Sequence, residues 1–401
     1  VSEIGKKQEN VLEEAFQDIG NSLKTMFRHR DGLKINGKRY DSIKIPFLNK
    51  TIYLDNHIPG AILDTIDNLN LTAKDGRKPA LTSKKRTENG WHLTFSLPPG
   101  ISFNRVKRYR EYFADAVNGW IDITWNGALQ MSIHTGRLPQ KLAYCWDPGD
   151  YTRLSLPIPV GVSHGGPVVF DLTESPHLLV AGVPGFGKSN FLHVLIHSLL
   201  PVAQVAIVDL KRLEFAYLQG HAALAKTEAD ALALMQALNR EMEKRIGILE
   251  AAGVVKIQDY KGNDMPYIVT VIDELAEIRD ENIMALIDRI TRLARAVGIS
   301  VVAATQRPST KVLPGDTRAM FQARICFQVA DELNSRMVLG ESCPLAAQLP
   351  GIKGRAIWKF GIEEKEVQTM FLPLKQAKKM LNKNPVRTWG YEYETKRLPP
   401  R

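Results

Sequence analysis

One stretch, HLLVAGVPGFGKSNFLH, constrains this 401-residue chain more than any other. Gly182-Val183-Pro184-Gly185-Phe186-Gly187-Lys188-Ser189 matches GxxxxGK[ST] in full. The apolar run LLVA precedes it, and FLHVLIHSLL, which has helical spacing, follows. A strand, a glycine loop and a helix in that order form a phosphate cradle. The glycines let backbone N–H groups curl around phosphate oxygens, and the helix adds its positive end. Lys188 is suited to neutralise the β and γ phosphates, and Ser189 to coordinate Mg²⁺. The expected cofactors are ATP and Mg²⁺. The expected cofactor-binding residues run from Gly182 through Ser189 to Asn190.

The surrounding pattern fits an α/β domain. Apolar strand candidates fall at Leu178–Ala181, Val205–Val208, Ile268–Ile272, Ser300–Ala304 and Arg324–Gln328. Helical stretches at 188–200, 226–250 and 281–297 separate them. Continuous apolar strands alternating with helices imply a mostly parallel sheet covered on both faces.

Two strand ends carry further chemistry. YIVTVI ends in Asp273-Glu274, and in a phosphate-loop enzyme such a strand lies beside the loop. Asp273 then holds Mg²⁺, and Glu274 polarises the attacking water. Such a pair argues for hydrolysis rather than transfer. A solvated acidic turn opening a helix is the plainer alternative. VVAAT ends in Gln306, before Arg307 and Pro308. Strand ends converge on one edge of an open parallel sheet, so Gln306 is placed to touch the γ phosphate or the water. A surface turn stopped by Pro308 is the alternative.

The chain ahead of the loop is more polar. Residues 1–88 are polar and basic, with a helix expected over Val11–Met26 and another over Ile58–Leu69. Short strands are expected near Ser42–Phe47 and Thr51–Leu54, and a loop over Lys74–Gly90. Residues 89–160 comprise a small α/β domain and a Pro-rich connection. There WHLTFS reads as a strand, Ser102 or Asn104 caps a helix ending near Asn118, and Asn126-Gly127 turns a hairpin. Residues 161–375 are expected to form a larger α/β domain, and 376–401 a surface tail.

Composition adds less. At 44% hydrophobic and 24% charged residues the chain reads as globular. Its net charge of +10 favours a polyanion or acidic surface as partner, though solubility also accounts for it. Three cysteines without ligand spacing suggest a reducing compartment and no zinc site. The longest apolar runs are too short to span a bilayer, and no signal peptide is present.

Several segments together resemble the FtsK/SpoIIIE-type DNA translocases of the RecA-like and HerA-like ATPases. They are PHLLVAGVPGFGKS, VDLKRLEF, the EMEKR helix, YIVTVIDELAE, LARAVGISVVAATQRPS and ARICFQVADELNSRMVLG, in that family's order. They occupy most of residues 160–360. The resemblance implies a RecA-like P-loop domain working as a hexameric ring around double-stranded DNA, with sequence-independent contacts. In this reading Lys188, Asp273, Glu274, Gln306 and a neighbouring subunit's arginine are catalytic. Arg336 is the first choice for that arginine, with Arg307 and Arg324 in reserve. Asp209 and Lys211 match the family's DxK segment, and Lys256, Lys261 and Arg279 are candidates for DNA-facing loops.

Only about thirty residues follow position 370, too few for the winged helix that reads orientation sequences in this family. That departure favours motors resembling conjugative coupling proteins of Gram-positive mobile elements. Such motors work with a relaxase and a secretion channel. The resemblance implies a cytoplasmic chain at the inner face of the membrane, with an anchor in the parent protein. The alternatives are a type VII-like protein-secretion ATPase, a fragment of a chromosome-segregation translocase, and a nucleotide switch. Asp273-Glu274 and Gln306 count against the switch.

Overall fold

The computed structural model describes residues 57–381, apart from 88–89, 135, 263–264 and 311, together with four short strands between residues 33 and 53. The helix expected over Val11–Met26 and the tail from Asn382 lie outside the described residues. The chain divides into two compact units, residues 1–136 and 137–401.

In the first unit, β1 (Leu33–Ile35) pairs with β2 (Lys38–Tyr40), and β3 (Ser42–Ile45) with β4 (Lys50–Tyr53). There follow α1 (His57–Asn68), β5 (Ala80–Thr87), β6 (Gly90–Ser96), α2 (Phe103–Lys107), α3 (Arg110–Val117), β7 (Trp120–Trp125) and β8 (Leu129–His134). An antiparallel sheet runs in the order β5-β6-β8-β7. Alternate residues of β6 (Trp91, Leu93, Phe95) and β8 (Leu129, Met131, Ile133) enter one core with Ile62, Ile66 and Phe113. Ser102 caps α2 by accepting the Arg105 N–H, and left-handed Asn118 closes α3.

The segment expected to loop out over Lys74–Gly90 instead contains β5. Its charged residues are compatible with a strand because β5 is an edge strand. One neighbour, β6, supplies its ladder, while Ser83, Lys84, Lys85 and Arg86 remain exposed. The boundary expected at residue 88 therefore falls between two paired strands of one sheet.

The second unit runs β9 (Leu142–Ala143), β10 (Pro157–Ser163), β11 (Gly166–Asp171), β12 (His177–Ala181), α4 (Lys188–Leu199), β13 (Gln204–Val208), β14 (Ala223–Ala225) and α5 (Glu228–Ala252). It continues with β15 (Ile268–Ile272), α6 (Glu281–Leu293), β16 (Ile299–Thr305), α7 (Gly315–Met320), β17 (Ala323–Phe327) and α8 (Glu332–Leu339). It closes with β18 (Arg355–Phe360), β19 (Glu363–Gln368), β20 (Met370–Phe371) and α9 (Leu374–Leu381).

Ten of these strands form one sheet in the order β11-β10-β19-β18-β17-β12-β16-β15-β13-β14. From β17 to β14 every pair is parallel, and from β17 outward to β11 every pair is antiparallel. Leu178 and Val180 of β12 share a core with Phe191, Leu192 and Leu195 of α4. The intervening Leu179 and Ala181 are also buried, so both faces of the strand are covered. A reciprocal capping box between Thr227 and Asp230 starts α5, a device that contributes about 1 kcal/mol.

The Pro-rich connection contributes β10 to this sheet. β10 meets β19 only through Val162 and Ser163, so Pro157 and Pro159 lie in the half outside that ladder. A residue without an N–H is tolerated there.

His177, at the start of β12, is buried, and its Nδ1 accepts the Val301 N–H at 3.1 Å. The imidazole is therefore neutral, and burial pushes its pKa down to about 3. An unfolded histidine titrates near ~6.5, so the native state loses stability as pH falls through that value toward the folded pKa, by up to about 1.4 kcal/mol per unit. His177→Asn retains an acceptor without a titrating ring. Its urea midpoint should vary less between about pH 6.5 and 4.5 than that of the wild type; equal slopes would contradict this account.

Candidate nucleotide site

The C-terminal edge of the parallel strands collects the phosphate loop after β12, Asp273-Glu274 after β15 and Gln306 after β16. The loop is anchored at its start. Gly182 N–H donates to the Thr305 carbonyl at 3.3 Å, and Val183 N–H to the Gln328 carbonyl at 2.9 Å. It is anchored again at its end, where Gly354 N–H donates to the Phe186 carbonyl at 2.8 Å. Gly187 has φ +117°, and a Cβ there would lie 3.0 Å from the Gly354 backbone. Glycine is required on both counts.

Lys188 is only 4% exposed. Its ammonium donates to the Asp273 carbonyl at 2.7 Å and to the Asp273 carboxylate at 3.2 Å, with Glu274 at 3.9 Å. Burial pushes the Asp273 carboxyl above its ordinary pKa, against the pull of Lys188. The Glu274 carboxylate accepts the Gln306 N–H through both oxygens, at 3.1 and 3.0 Å, and the Ala276 N–H at 3.4 Å. The acidic pair and Gln306 are thus brought together with Lys188. The end of β15 lies against the phosphate loop, although β15 is not adjacent to the loop's own strand, β12. β16 sits between them, and the long Lys188 side chain reaches across to the end of β15.

A cavity of about 600 Å³ opens over the loop, lined by Val183–Gly185, Gly187–Asn190 and Gln306, and extends to Gln140–Leu142 and Gln368–Phe371. Ser189 is among its lining residues. Two loop residues do not line it. At Gly182 a Cβ would fall 2.6 Å from that of Phe327, and Phe186 packs against the apolar core. Asn190 lines the cavity, but its amide is already engaged: Nδ2 donates to the Leu372 carbonyl at 2.9 Å and Oδ1 accepts the Leu372 N–H at 3.3 Å.

The three arginines separate by environment. Arg324 donates to the carbonyls of Phe321, Val338 and Arg318 at 2.7, 2.8 and 3.2 Å, which makes it a structural tie within its own subunit. Arg336 lies on α8, half-exposed and paired with Glu332 at 2.9 Å, and is not among the residues lining this cavity. Arg307 is exposed beyond β16. Asp209 shapes the turn after β13 by accepting the N–H groups of Arg212 and Phe215 at 2.9 and 3.1 Å, while Lys211 is exposed.

Two constellations escaped the sequence reading. Beneath α4, His193 contacts the Glu214 carboxylate at 3.1 Å and the Tyr217 hydroxyl at 2.9 Å, and His197 meets the same hydroxyl at 3.1 Å. The hydrogen bond from His193 lowers the Glu214 pKa, and burial pushes His197 down to about 4. The i, i+4 histidines were visible in the sequence, but their partners in the loop after β13 were not. The second centres on buried Arg355. It donates to Gln368 at 3.0 Å, to Glu366 at 2.6 Å, and to the carbonyls of Pro139 and Leu138 at 3.0 and 3.4 Å. No local motif marks it.

Residues 147–265 match the model of the FtsK/SpoIIIE family, a span that includes the phosphate loop and ends just before β15. This part of the chain is an FtsK/SpoIIIE domain. The resemblance read from the sequence motifs holds. The DNA translocase FtsK of Chlorobaculum tepidum is 36% identical over 215 residues, which is 47% of this chain and 27% of that protein. The DNA translocase FtsK of Borreliella burgdorferi is 37% identical over 200 residues, 44% of this chain and 25% of that protein. The chain therefore spans only about a quarter of these curated relatives.

Among solved structures, the pCW3 conjugation coupling protein TcpA, in its monomer form with ATPγS, superposes with a TM-score of 0.58 at 26% identity. The match covers 82% of this chain and 99% of TcpA. The cytoplasmic domain of the type VII secretion ATPase EccC from Thermomonospora curvata shares the fold, with a TM-score of 0.51 at 24% identity over 61% of this chain and 33% of that one. The FtsK/SpoIIIE domain thus has the fold of a P-loop ATPase. Among the described residues no helix is long and apolar enough to cross a membrane.

The close approach of Gly187 to Gly354 gives a direct test. Gly187→Ala should cost about 1–3 kcal/mol of stability and weaken ATP binding. An unchanged melting curve together with unchanged ATP affinity would contradict the geometry described for the loop.

Proposed function

We propose that this chain is the motor part of an ATP-driven pump for double-stranded DNA, serving conjugative DNA transfer. The observation that carries the reading is the Lys188–Asp273–Glu274–Gln306 cluster at one sheet edge. Lys188 binds the β and γ phosphates in place of its contacts to Asp273. Glu274, held by the Gln306 backbone, orients the attacking water and takes its proton. Gln306, joined directly to Glu274, senses whether the γ phosphate is present. The half-buried Ser189 and buried Asp273 would hold Mg²⁺. That ion would neutralise phosphate charge.

The near-complete coverage of TcpA supports the conjugative assignment over chromosome segregation. The likeness to EccC is one of fold alone. In the working state the chain forms a hexameric ring, and Arg336 reaches a neighbour's phosphates. Its position on a half-exposed helix face suits that role better than the tied guanidinium of Arg324. Exposed Lys256, Lys261 and Arg279 meet DNA phosphates without reading sequence. The parent protein acts at the inner face of the membrane beside a relaxase and a secretion channel.

An ATPase titration with double-stranded DNA, single-stranded DNA and no DNA tests this reading. Double-stranded DNA should raise turnover at least tenfold, an effect that fades with added salt. Arg336→Ala should lose the stimulated rate while ATP affinity holds. Turnover indifferent to DNA would sink the translocase reading, and stimulation only by a signal peptide would point to protein cargo.

A further inference from the structure

The cavity is longer than its phosphate end. Beyond the loop its wall is built from two chain segments that pair with each other: β9 and β20 run parallel, with Met370 opposite Leu142 and Phe371 opposite Ala143. This wall is fixed to the phosphate loop at two points. Asn190, in the first turn of α4, exchanges two hydrogen bonds with the Leu372 backbone. Gly354, which donates to the Phe186 carbonyl, also accepts the N–H and hydroxyl of Thr369 at 2.8 and 3.0 Å. Arg355, at the start of β18, holds the strap at Leu138 and Pro139 against β18 and β19. The distance from phosphate loop to wall is thereby set by hydrogen bonds rather than left to loop motion.

The chemistry of the wall differs from that of the loop. Leu142, Met370 and Phe371 offer an apolar surface, and Gln140 lies exposed at its margin. Gln368 and Thr369 direct their side-chain groups into the protein, toward Arg355, Lys353 and Gly354. The Phe371 ring is 44% exposed and carries the exposed Lys141 ammonium 5.1 Å from its centroid. A large exposed ring with an exposed cation over it, in a cavity of small-molecule size, is a stacking surface for a flat aromatic group.

We propose that β9 and β20 form a nucleobase subsite, in which a purine base replaces Lys141 over the Phe371 ring and Gln140 reads its polar edge. Asn190 is then a positioning residue that sets the phosphate-to-base spacing through Leu372. The inference rests on the phosphate loop being a nucleoside triphosphate site.

Calorimetric titrations with ADP, UDP and inorganic tripolyphosphate test it, using the wild type, Phe371→Ala, Phe371→Trp and Lys188→Ala. Base–aromatic stacking accounts for roughly tenfold in affinity. Phe371→Ala should therefore lose about that factor for ADP, keep tripolyphosphate binding within about twofold, and bring ADP and UDP closer together. Phe371→Trp should retain or improve ADP binding. Wild-type ADP affinity in Phe371→Ala, or equal losses for ADP and tripolyphosphate, would overturn the subsite. Unaltered tripolyphosphate binding in Lys188→Ala would instead overturn the nucleotide reading beneath it. Phe371 is exposed, so melting curves without ligand should coincide for wild type and Phe371→Ala.

Discussion

A buried ammonium joins the two halves of the site. Lys188 starts α4, and its charge is matched at the far side of β16 by the Asp273 carbonyl and carboxylate. Burying both charges is costly, so the contact persists only with close geometry and further hydrogen bonds. The raised Asp273 pKa shows that burial outweighs the attraction of Lys188. Such an arrangement is poised for exchange. In the proposed function an incoming phosphate would take the place of Asp273 at Lys188 and free that carboxylate for a divalent cation. Strand order makes this possible, because β16 between β12 and β15 also delivers Gln306 to Glu274.

Much of this arrangement was legible in the sequence because each element carries a local signature. The loop is a spacing pattern, the parallel strands are unbroken apolar runs, and Asp273-Glu274 and Gln306 sit directly at strand ends. The hairpin at Asn126-Gly127 and the cap at Ser102 are likewise local. Strand order is not local. No pattern in YIVTVIDE signals that β16 lies between β12 and β15.

The antiparallel extension was hidden for a related reason. β18 and β19 have a mixed, partly charged composition, and β10 lies in a Pro-rich run that reads as a linker. They become strands because each finds a neighbour, as β5 does at the edge of the first unit's sheet. Arg355 shows the same limit at the level of one side chain: its partners lie 11 and 13 residues away on β19, and 216 and 217 residues away in the strap at Pro139 and Leu138. Asn190 closes the stretch expected to bind the cofactor; it lines the cavity, and its amide joins the phosphate loop to Leu372. That contact to Leu372 is tertiary, and no local pattern in the sequence announces it.

The central claim is that Glu274, fixed by the Gln306 backbone, activates water for attack on a phosphate held by Lys188. Rapid-quench measurement of a single ATP turnover in Glu274→Gln tests it most directly, because the substitution preserves shape and removes the base. The account predicts ATP binding within about twofold of wild type and hydrolysis slowed on the order of 100-fold or more. Phosphate release at the wild-type rate from bound ATP would contradict it.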